Sequence, residues 1–217
     1  MVRTIITGLS LCWALWASGQ QFGALLSTTQ ADQFMELRTD AGRWRVEVID
    51  SHVVKVAFWP GGVERPVISK AVIPGAGSPP PVTYTHKRRK RILSWGDYEV
   101  TYDLRHEQLT LAEGRQTLAS AYGYDDEDSL EVLAFGLDAG EQLYGGGFRA
   151  LPMNRVGYRL PLYNAPQYGY GLGWEGSNFS IPTFVSSKGY ALFVDNPAKG
   201  WADLGVEQPG QVGFEMA

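Results

Sequence analysis

Residues 145–178 carry the side chains best suited to binding a polar ring ligand. The segment contains eight glycines, four tyrosines and one tryptophan, and it sustains neither the period of a strand nor that of a helix. Tyr and Trp offer flat faces that stack on the C–H surfaces of sugars, while Asn, Gln and Arg hydrogen-bond hydroxyl groups. A loop of this length in a compact domain is usually functional or disordered, and the aromatic content argues against disorder. The segment therefore predicts either a sugar-binding loop or a crossover that packs on a neighbouring domain.

The three histidines are further candidates for catalysis. A ring-opening isomerase needs a histidine and a glutamate that transfer protons. His52, His86 and His106 fall at positions that we interpret as turns or loops, without a paired carboxylate at a recognisable site. We therefore rank an isomerase last among the candidate functions.

The acidic run at residues 125–128 resembles a calcium loop only superficially. It lacks the spaced carboxylates and the fixed glycine of an EF-hand, so it predicts a solvated loop. The single cysteine, Cys12, lies in the N-terminal apolar segment. We expect neither a metal nor a cofactor.

The overall charge restricts the choice of partner. The 217-residue chain has a formal net charge of −4, which argues against nucleic acid as its main partner. A basic run stands out against this acidic character and comprises His86, Lys87, Arg88, Arg89, Lys90 and Arg91. The run predicts a solvated loop or a charged guard on an edge strand, and a contact with a polyanion is the alternative.

The N-terminus has the pattern of a secretory signal peptide. Arg3 precedes the apolar residues 5–16, and Ala-Ser-Gly at residues 17–19 supplies small residues at the cleavage site. The apolar stretch is shorter than a comfortable membrane span. We expect a signal-peptide helix over residues 1–19 and one mature domain over residues 20–217. This predicts a periplasmic or secreted protein with no membrane attachment after cleavage.

Alternation of apolar and polar residues with a period of two dominates the mature chain. It predicts a hairpin over residues 44–59 and further strands within residues 92–104, 109–121, 130–137 and 179–194. Residues 63–90 hold several prolines and glycines and predict an irregular stretch. No segment outside the signal offers a good long amphipathic helix. The sequence therefore predicts an all-β fold, a sandwich or barrel built mostly from antiparallel hairpins.

Three motifs resemble the N-terminal domain of glycoside hydrolase family 31 in both order and spacing. They are Glu-Gln-Leu-Tyr-Gly-Gly-Gly at residues 141–147, Ser-Ile-Pro at residues 180–182 and Gly-Tyr-Ala-Leu-Phe-Val-Asp-Asn at residues 189–196. The resemblance covers residues 34–206 and implies a galactose mutarotase-like antiparallel β-sandwich. Within the family, residues 149–164 look closest to bacterial α-glucosidases and 4-α-glucosyltransferases that act on maltooligosaccharides.

Phe148 departs from the family pattern. The family's Gly-Gly-Glu-Arg-like turn usually carries an acidic residue at this position. The departure implies the loss of a buried ion pair with a nearby arginine and a changed local loop geometry.

The resemblance implies retaining glycosidase chemistry that is performed outside this chain. In the family, two aspartates on a downstream (β/α)8 barrel act as nucleophile and general acid/base, with carboxyl groups about 5–5.5 Å apart. Such a barrel has about 250 residues, whereas 23 residues follow Val194 here. We therefore expect a non-catalytic chain that is inactive alone, with no catalytic role for Glu141, Asp195 or Asp203.

By the same resemblance, residues 162–168 form a loop that reaches toward the substrate pocket of the barrel. The residues implied to lie nearest a bound α-glucan or maltooligosaccharide are Asn164, Gln167 and Tyr168, followed by Arg155 and Tyr170. The competing interpretation is that these residues only shape the interface with the barrel. The alternative function for the whole chain is a free-standing carbohydrate-binding module.

Overall fold

The computed structural model of the chain describes residues 22–61, 69, 71–73, 75, 77–125, 131–176 and 178–216. The predicted signal peptide lies outside the described residues, and so does most of the acidic run at 125–128. The regular elements of the described part are β-strands. None of the described residues belongs to a helix long and apolar enough to cross a bilayer.

The strands follow one another along the chain with short connections in most places. In chain order they are β1 (Leu25–Ala31), β2 (Phe34–Thr39), β3 (Gly42–Asp50), β4 (Val53–Pro60), β5 (Thr83–Lys87), β6 (Lys90–Trp95), β7 (Tyr98–Asp103), β8 (Gln108–Glu113), β9 (Gln116–Asp125), β10 (Glu131–Gly136), β11 (Leu143–Gly145), β12 (Arg159–Pro161), β13 (Thr183–Ser186), β14 (Ala191–Phe193), β15 (Gly200–Asp203) and β16 (Gln211–Met216).

These strands pair into three sheets. A four-stranded sheet has the order β1-β2-β3-β4, a nine-stranded sheet the order β12-β15-β16-β10-β9-β8-β7-β6-β5, and a three-stranded sheet the order β11-β13-β14. All pairings among the described strands are antiparallel. The predicted all-β, antiparallel sandwich fold is confirmed.

The first core lies between the four-stranded sheet and strands β6–β9. Along β3 the burial alternates with a period of two, so that Trp44, Val46 and Val48 face the interior. Trp44 stacks on Phe58 of β4 with ring centroids 4.1 Å apart, and its indole N–H donates to the carbonyl of Phe22. Burying aromatic side chains of this size stabilises the sandwich by about 1.5–3 kcal/mol each.

The second core lies between the three-stranded sheet and the β10–β12–β15–β16 part of the nine-stranded sheet. Leu143 and Phe184 of the small sheet belong to one buried cluster with Leu160 and Phe214 of the large sheet. Phe135 on β10 packs against both cores and joins them. The small sheet therefore holds the base of the glycine- and tyrosine-rich segment against a fixed surface.

The prediction of an irregular stretch over residues 63–90 is wrong at its C-terminal end. Residues 83–87 form β5, which pairs with β6, and His86 therefore lies in a strand rather than in a turn or loop. Tyr84 packs on the first core, but one core-facing aromatic in a five-residue strand gives too little alternation to be recognised. β5 is an edge strand, which is where a charged guard was predicted for the basic run.

Strands β1 and β2 have no counterpart in the sequence-based prediction. In β2, Met35 and Leu37 are buried while Glu36 and Arg38 face outward. The period of two is present there, but it spans only six residues. The short strand β12 likewise lies inside the segment expected to be irregular.

Candidate substrate-side loop

Three consecutive glycines begin the glycine- and tyrosine-rich segment and lie directly against the chain that leads into β13. Gly147 has a positive φ of 89°. A Cβ atom on Gly147 would lie 2.1 Å from the carbonyl oxygen of Phe179, closer than any packed side chain allows. Glycine is required here because the two backbones touch, and this contact fixes where the loop leaves the sandwich.

Arg149 ties the two ends of the segment together. It is buried, and its guanidinium donates to the carbonyl oxygens of Gly146 at 2.8 Å and Pro161 at 2.7 Å. The same group donates to the carbonyl of Glu175 and to the hydroxyl of Ser180. Burial, together with the neighbouring charge of Arg155, lowers the pKa of Arg149 to about 10. One side chain therefore holds four points of the loop in a single arrangement.

The predicted sugar contact Arg155 occupies a different environment. Its side chain is buried and donates to the carbonyl oxygens of Gly145 at 3.1 Å and Pro152 at 2.7 Å. Burial lowers the pKa of its guanidinium. The structure thus separates Arg155 from the exposed part of the loop and uses it to brace β11.

Asn164 and Gln167 are exposed, and both take part in hydrogen bonds across the loop. The carboxamide oxygen of Asn164 accepts a 2.6 Å bond from the backbone N–H of Ser180. The backbone N–H of Gln167 donates to the carboxamide oxygen of Asn178 at 3.0 Å, which leaves the Gln167 side chain outside this contact. These two bonds pair the outgoing and returning halves of the loop.

The aromatic residues of the loop divide into a stacked pair and an exposed ring. Tyr170 stacks on Trp174 with centroids 4.7 Å apart and ring planes 24° apart. Tyr168 is 99% exposed, as is Leu172. Asn164, Gln167 and Tyr168 therefore all lie on the exposed part of the loop, whereas Tyr170 is half-buried against Trp174.

Neither the stacking of Trp174 nor the hydrogen bonds of Arg149 were predicted from the sequence. Trp174 follows the sequence Gly-Tyr-Gly-Leu-Gly. A tryptophan in a glycine-rich loop was the available signal of a stacking contact with a neighbouring ring. The role of Arg149 had no comparable signal, because its partners lie 3 to 31 residues away along the chain.

Phe148 stands where the family pattern has an acidic residue. Its side chain is 64% exposed, and its backbone N–H donates to the carbonyl of Phe179 at 2.9 Å. The adjacent Arg149 is hydrogen-bonded by three carbonyls and a hydroxyl. Backbone carbonyl oxygens therefore accept the hydrogen bonds of Arg149, where the family pattern implied an ion pair with a carboxylate at position 148.

Two of the three carboxylates considered in the sequence accept several hydrogen bonds within the domain. Glu141 is buried and accepts hydrogen bonds from the Tyr190 hydroxyl at 2.7 Å, the Asp138 backbone N–H at 3.0 Å and the Ser186 hydroxyl. Burial and this carboxylate raise the pKa of Tyr190. Asp203 accepts from three successive backbone N–H groups of the β15–β16 turn, whereas Asp195 is exposed.

His52 and His106 interact with neighbours in their own turns. His52 lies 2.9 Å from the Ser51 hydroxyl, and His106 lies 3.4 Å from the Asp103 carboxylate. Within the described ranges, no group of three His, Cys, Asp or Glu side chains is placed to hold a metal ion.

Comparison with known protein families assigns this sandwich. Residues 43–203 match the glycosyl hydrolase 31 N-terminal galactose mutarotase-like domain. The chain belongs to this family.

Individual relatives agree with that assignment. The α-xylosidase XylQ of Lactiplantibacillus pentosus is 30% identical over 133 residues, which are 56% of this chain and 17% of that protein. A Flavobacterium johnsoniae family 31 dextranase solved with glucose superposes with a TM-score of 0.81 at 22% identity, over 91% of this chain and 25% of that chain. The cycloalternan-forming enzyme of Listeria monocytogenes, solved with a pentasaccharide substrate, superposes with a TM-score of 0.76 at 17% identity, over 91% of this chain and 19% of that chain. At these identities the structural matches establish the fold.

Proposed function

We propose that the chain is the non-catalytic N-terminal domain of an exported glycoside hydrolase of the α-glucosidase or α-glucosyltransferase type. In this role it packs on a catalytic (β/α)8 barrel and lends residues 162–168 to the substrate pocket. The observation that carries the proposal is the loop itself. Its base is fixed by Arg149 and Asn164, while Tyr168 at its tip is almost completely exposed.

An apolar surface beside the loop supports packing on a barrel. Thr183, Val185, Ala191 and Phe193 are cross-strand partners on the face of the small sheet opposite the buried Phe184. Val185 is 49% exposed and Phe193 is 45% exposed. Exposed apolar side chains grouped in this way usually mark an interaction surface, and a catalytic domain is the partner we propose.

The chemistry at the loop is recognition of a sugar rather than bond cleavage. The Tyr168 ring can stack on the C–H face of a glucosyl unit, and the Gln167 carboxamide can exchange hydrogen bonds with its hydroxyls. The two carboxylates that break the glycosidic bond are supplied by the barrel. This division predicts that the chain alone has no hydrolase activity.

Export follows from the signal peptide predicted at residues 1–19. Cleavage there yields a mature domain beginning at residue 20 in the periplasm or outside the cell, where an α-glucan or maltooligosaccharide is met. N-terminal sequencing of the mature protein tests this part, and an N-terminus at Met1 would contradict it.

Sequencing past codon 217, and co-expression of the domain with the (β/α)8 barrel predicted to be encoded there, test the barrel partnership. The proposal predicts a product, fused or associated, that releases glucose from maltotriose and carries this domain through purification. A downstream product that neither associates with the domain nor acts on α-glycosides would contradict it.

A free-standing carbohydrate-binding module is the second candidate function. It is favoured by the stacked Tyr170–Trp174 pair beside the exposed Tyr168, because aromatic surfaces of this kind bind sugars without a catalytic domain. Calorimetry of the purified chain with maltoheptaose decides between the two. Heat of binding that disappears in Trp174→Ala supports the free-standing module. No heat of binding at millimolar sugar supports a loop that binds sugar only together with a catalytic barrel.

A further inference from the structure

Two adjoining turns at one end of the nine-stranded sheet carry a cluster of exposed cations. The β5–β6 turn and its flanks contribute Lys87, Arg88, Arg89 and Lys90, and the β7–β8 turn contributes Arg105; all five are exposed. The backbone N–H of Leu104 donates to the carbonyl of Arg89 at 2.9 Å, which joins the two turns. We call these five cations the basic end.

The positive charge of the basic end is local. Asp103 and Glu107 are the carboxylates of the same two turns. Asp103 is engaged within its own turn, where it accepts from the backbone N–H of Arg105 at 2.8 Å and lies 3.4 Å from the His106 ring. Five cations therefore face two carboxylates, in a protein whose formal net charge is −4. Because the chain as a whole has more acidic than basic residues, the five cations form a local concentration of positive charge.

The basic end is also held rigidly. Arg91 is only 9% exposed and donates to the carbonyls of Lys87 at 2.9 Å and Lys90 at 3.2 Å. Its Nε–H reaches the hydroxyl of Thr28 on β1 at 3.3 Å. The turn is thus fixed to the four-stranded sheet, and cations on a rigid turn lose less entropy when they bind a ligand.

The edge of β5 adds hydrogen-bonding groups beside the cations. β5 is the last strand of the nine-stranded sheet, so its outer backbone N–H and C=O groups have no strand partner in the described part of the chain. None of the strongly exposed large apolar residues lies in β5, β6 or the two turns of the basic end. The surface therefore combines guanidinium and ammonium groups with backbone amides.

We propose that the basic end and the adjoining edge of β5 bind an acidic polysaccharide, a polyhydroxylated chain that bears carboxylate or sulfate groups. Arginine side chains pair with such groups through two parallel hydrogen bonds, and the sugar hydroxyls meet the amides of the strand edge. Phosphate groups of nucleic acid or of lipid headgroups can pair with the same donors, so duplex DNA and phosphatidylglycerol vesicles are included in the test below. This site does not depend on the proposed function, since different strands form it.

Binding of the purified protein to polygalacturonate and to heparin, with uncharged dextran as comparator, tests the proposal. At about 50 mM salt we expect both acidic polymers to bind and dextran not to bind, with affinity that falls as salt rises. The variant carrying Arg88→Gln and Arg89→Gln should bind about tenfold more weakly. Arg115→Gln is the matched control, because Arg115 is an exposed arginine in the β8–β9 turn at the opposite end of the same strands.

Several results would overturn the proposal. One is the absence of binding to both acidic polymers, and another is undiminished binding by a double variant whose circular dichroism matches that of the parent. Duplex DNA or phosphatidylglycerol vesicles bound as tightly as the polysaccharides would show unselective attraction and overturn the assignment. If the double variant fails to fold, Arg105→Gln in the second turn applies the same test.

Discussion

The carboxamide of Asn164 and the backbone N–H of Ser180 meet at 2.6 Å and join the outgoing and returning halves of the candidate loop. Arg149 makes a second connection through the Pro161 carbonyl and the Ser180 hydroxyl. The exposed Tyr168 lies between these connections along the chain. Fixing the base of a loop while exposing its tip is the arrangement expected of an element that meets a partner or a ligand.

Asn164→Ala should loosen the loop without unfolding the sandwich. Loss of one hydrogen bond is expected to lower the free energy of unfolding by about 1 kcal/mol and to speed hydrogen exchange at the Ser180 amide. Gln167→Ala is the control, because Gln167 bonds Asn178 through its backbone N–H, which alanine retains. Equal exchange at Ser180 in the two variants would mean that the Asn164 bond does not hold the loop.

Arg149→Lys should destabilise the domain although the charge is kept. A lysine ammonium cannot reach the four separate acceptors that the guanidinium serves, so buried carbonyls lose their donors. We expect a loss of about 3 kcal/mol in urea unfolding. The exposed Arg115→Lys should change stability by less than about 0.5 kcal/mol. A loss at Arg149 no larger than that at Arg115 would refute its role as a brace.

Tyr190→Phe should change how stability depends on alkaline pH. Burial and Glu141 raise the pKa of Tyr190 above its ordinary value of 10.0, so the folded protein keeps the phenol proton that the unfolded chain loses. The resulting stability is complete below pH 10 and is lost as pH rises above it. Tyr190 should contribute about 1.4 kcal/mol per pH unit to the slope, and Tyr190→Phe should lose this contribution while keeping that of the buried Tyr102, whose pKa is also raised. Tyr168→Phe, at an exposed position, should leave the slope as it is; an unchanged slope in Tyr190→Phe would contradict the assignment.

Gly147→Ala should be far more damaging than Gly157→Ala. Both glycines have positive φ, 89° and 87°, so both variants share a conformational cost of about 1–2 kcal/mol. The added Cβ at 147 would also collide with the Phe179 carbonyl, whereas at 157 it would meet open space. Thermal unfolding of the two variants measures the difference. Similar melting temperatures would show that the close approach at Gly147 is readily relieved.

The parts of the fold that could be predicted are those in which burial alternates along one strand. β3 is the clearest example, because Trp44, Val46 and Val48 mark one face and charged residues mark the other. β5 could not be recognised in the same way, since Tyr84 is its single core-facing aromatic. Short edge strands are stabilised by their neighbours, and that information is not local in the sequence.

The glycine- and tyrosine-rich loop was recognisable from residue type, whereas its hydrogen bonds were not. Glycines and tyrosines mark the loop, and Asn164, Gln167 and Tyr168 are exposed in it, while their contact with a sugar stays a prediction. Arg155 has a side chain suited to hydroxyl groups, yet it is buried and bonded to Gly145 and Pro152 carbonyls. Residue type indicates which bonds a side chain can form, whereas only the tertiary structure decides which partners it meets.

The proposed role of the loop in a substrate pocket is tested by steady-state kinetics of the proposed two-domain enzyme, in which this domain is joined to its catalytic barrel. Tyr168→Ala removes the exposed ring proposed to stack on the substrate, and Ile73→Ala removes a side chain that is 75% exposed and lies outside the loop. We expect kcat/KM for maltotriose to fall about tenfold in Tyr168→Ala, as for one lost stacking contact, and by less than about twofold in Ile73→Ala. Equal kcat/KM values for Tyr168→Ala and the parent enzyme would contradict a role for the loop in the substrate pocket.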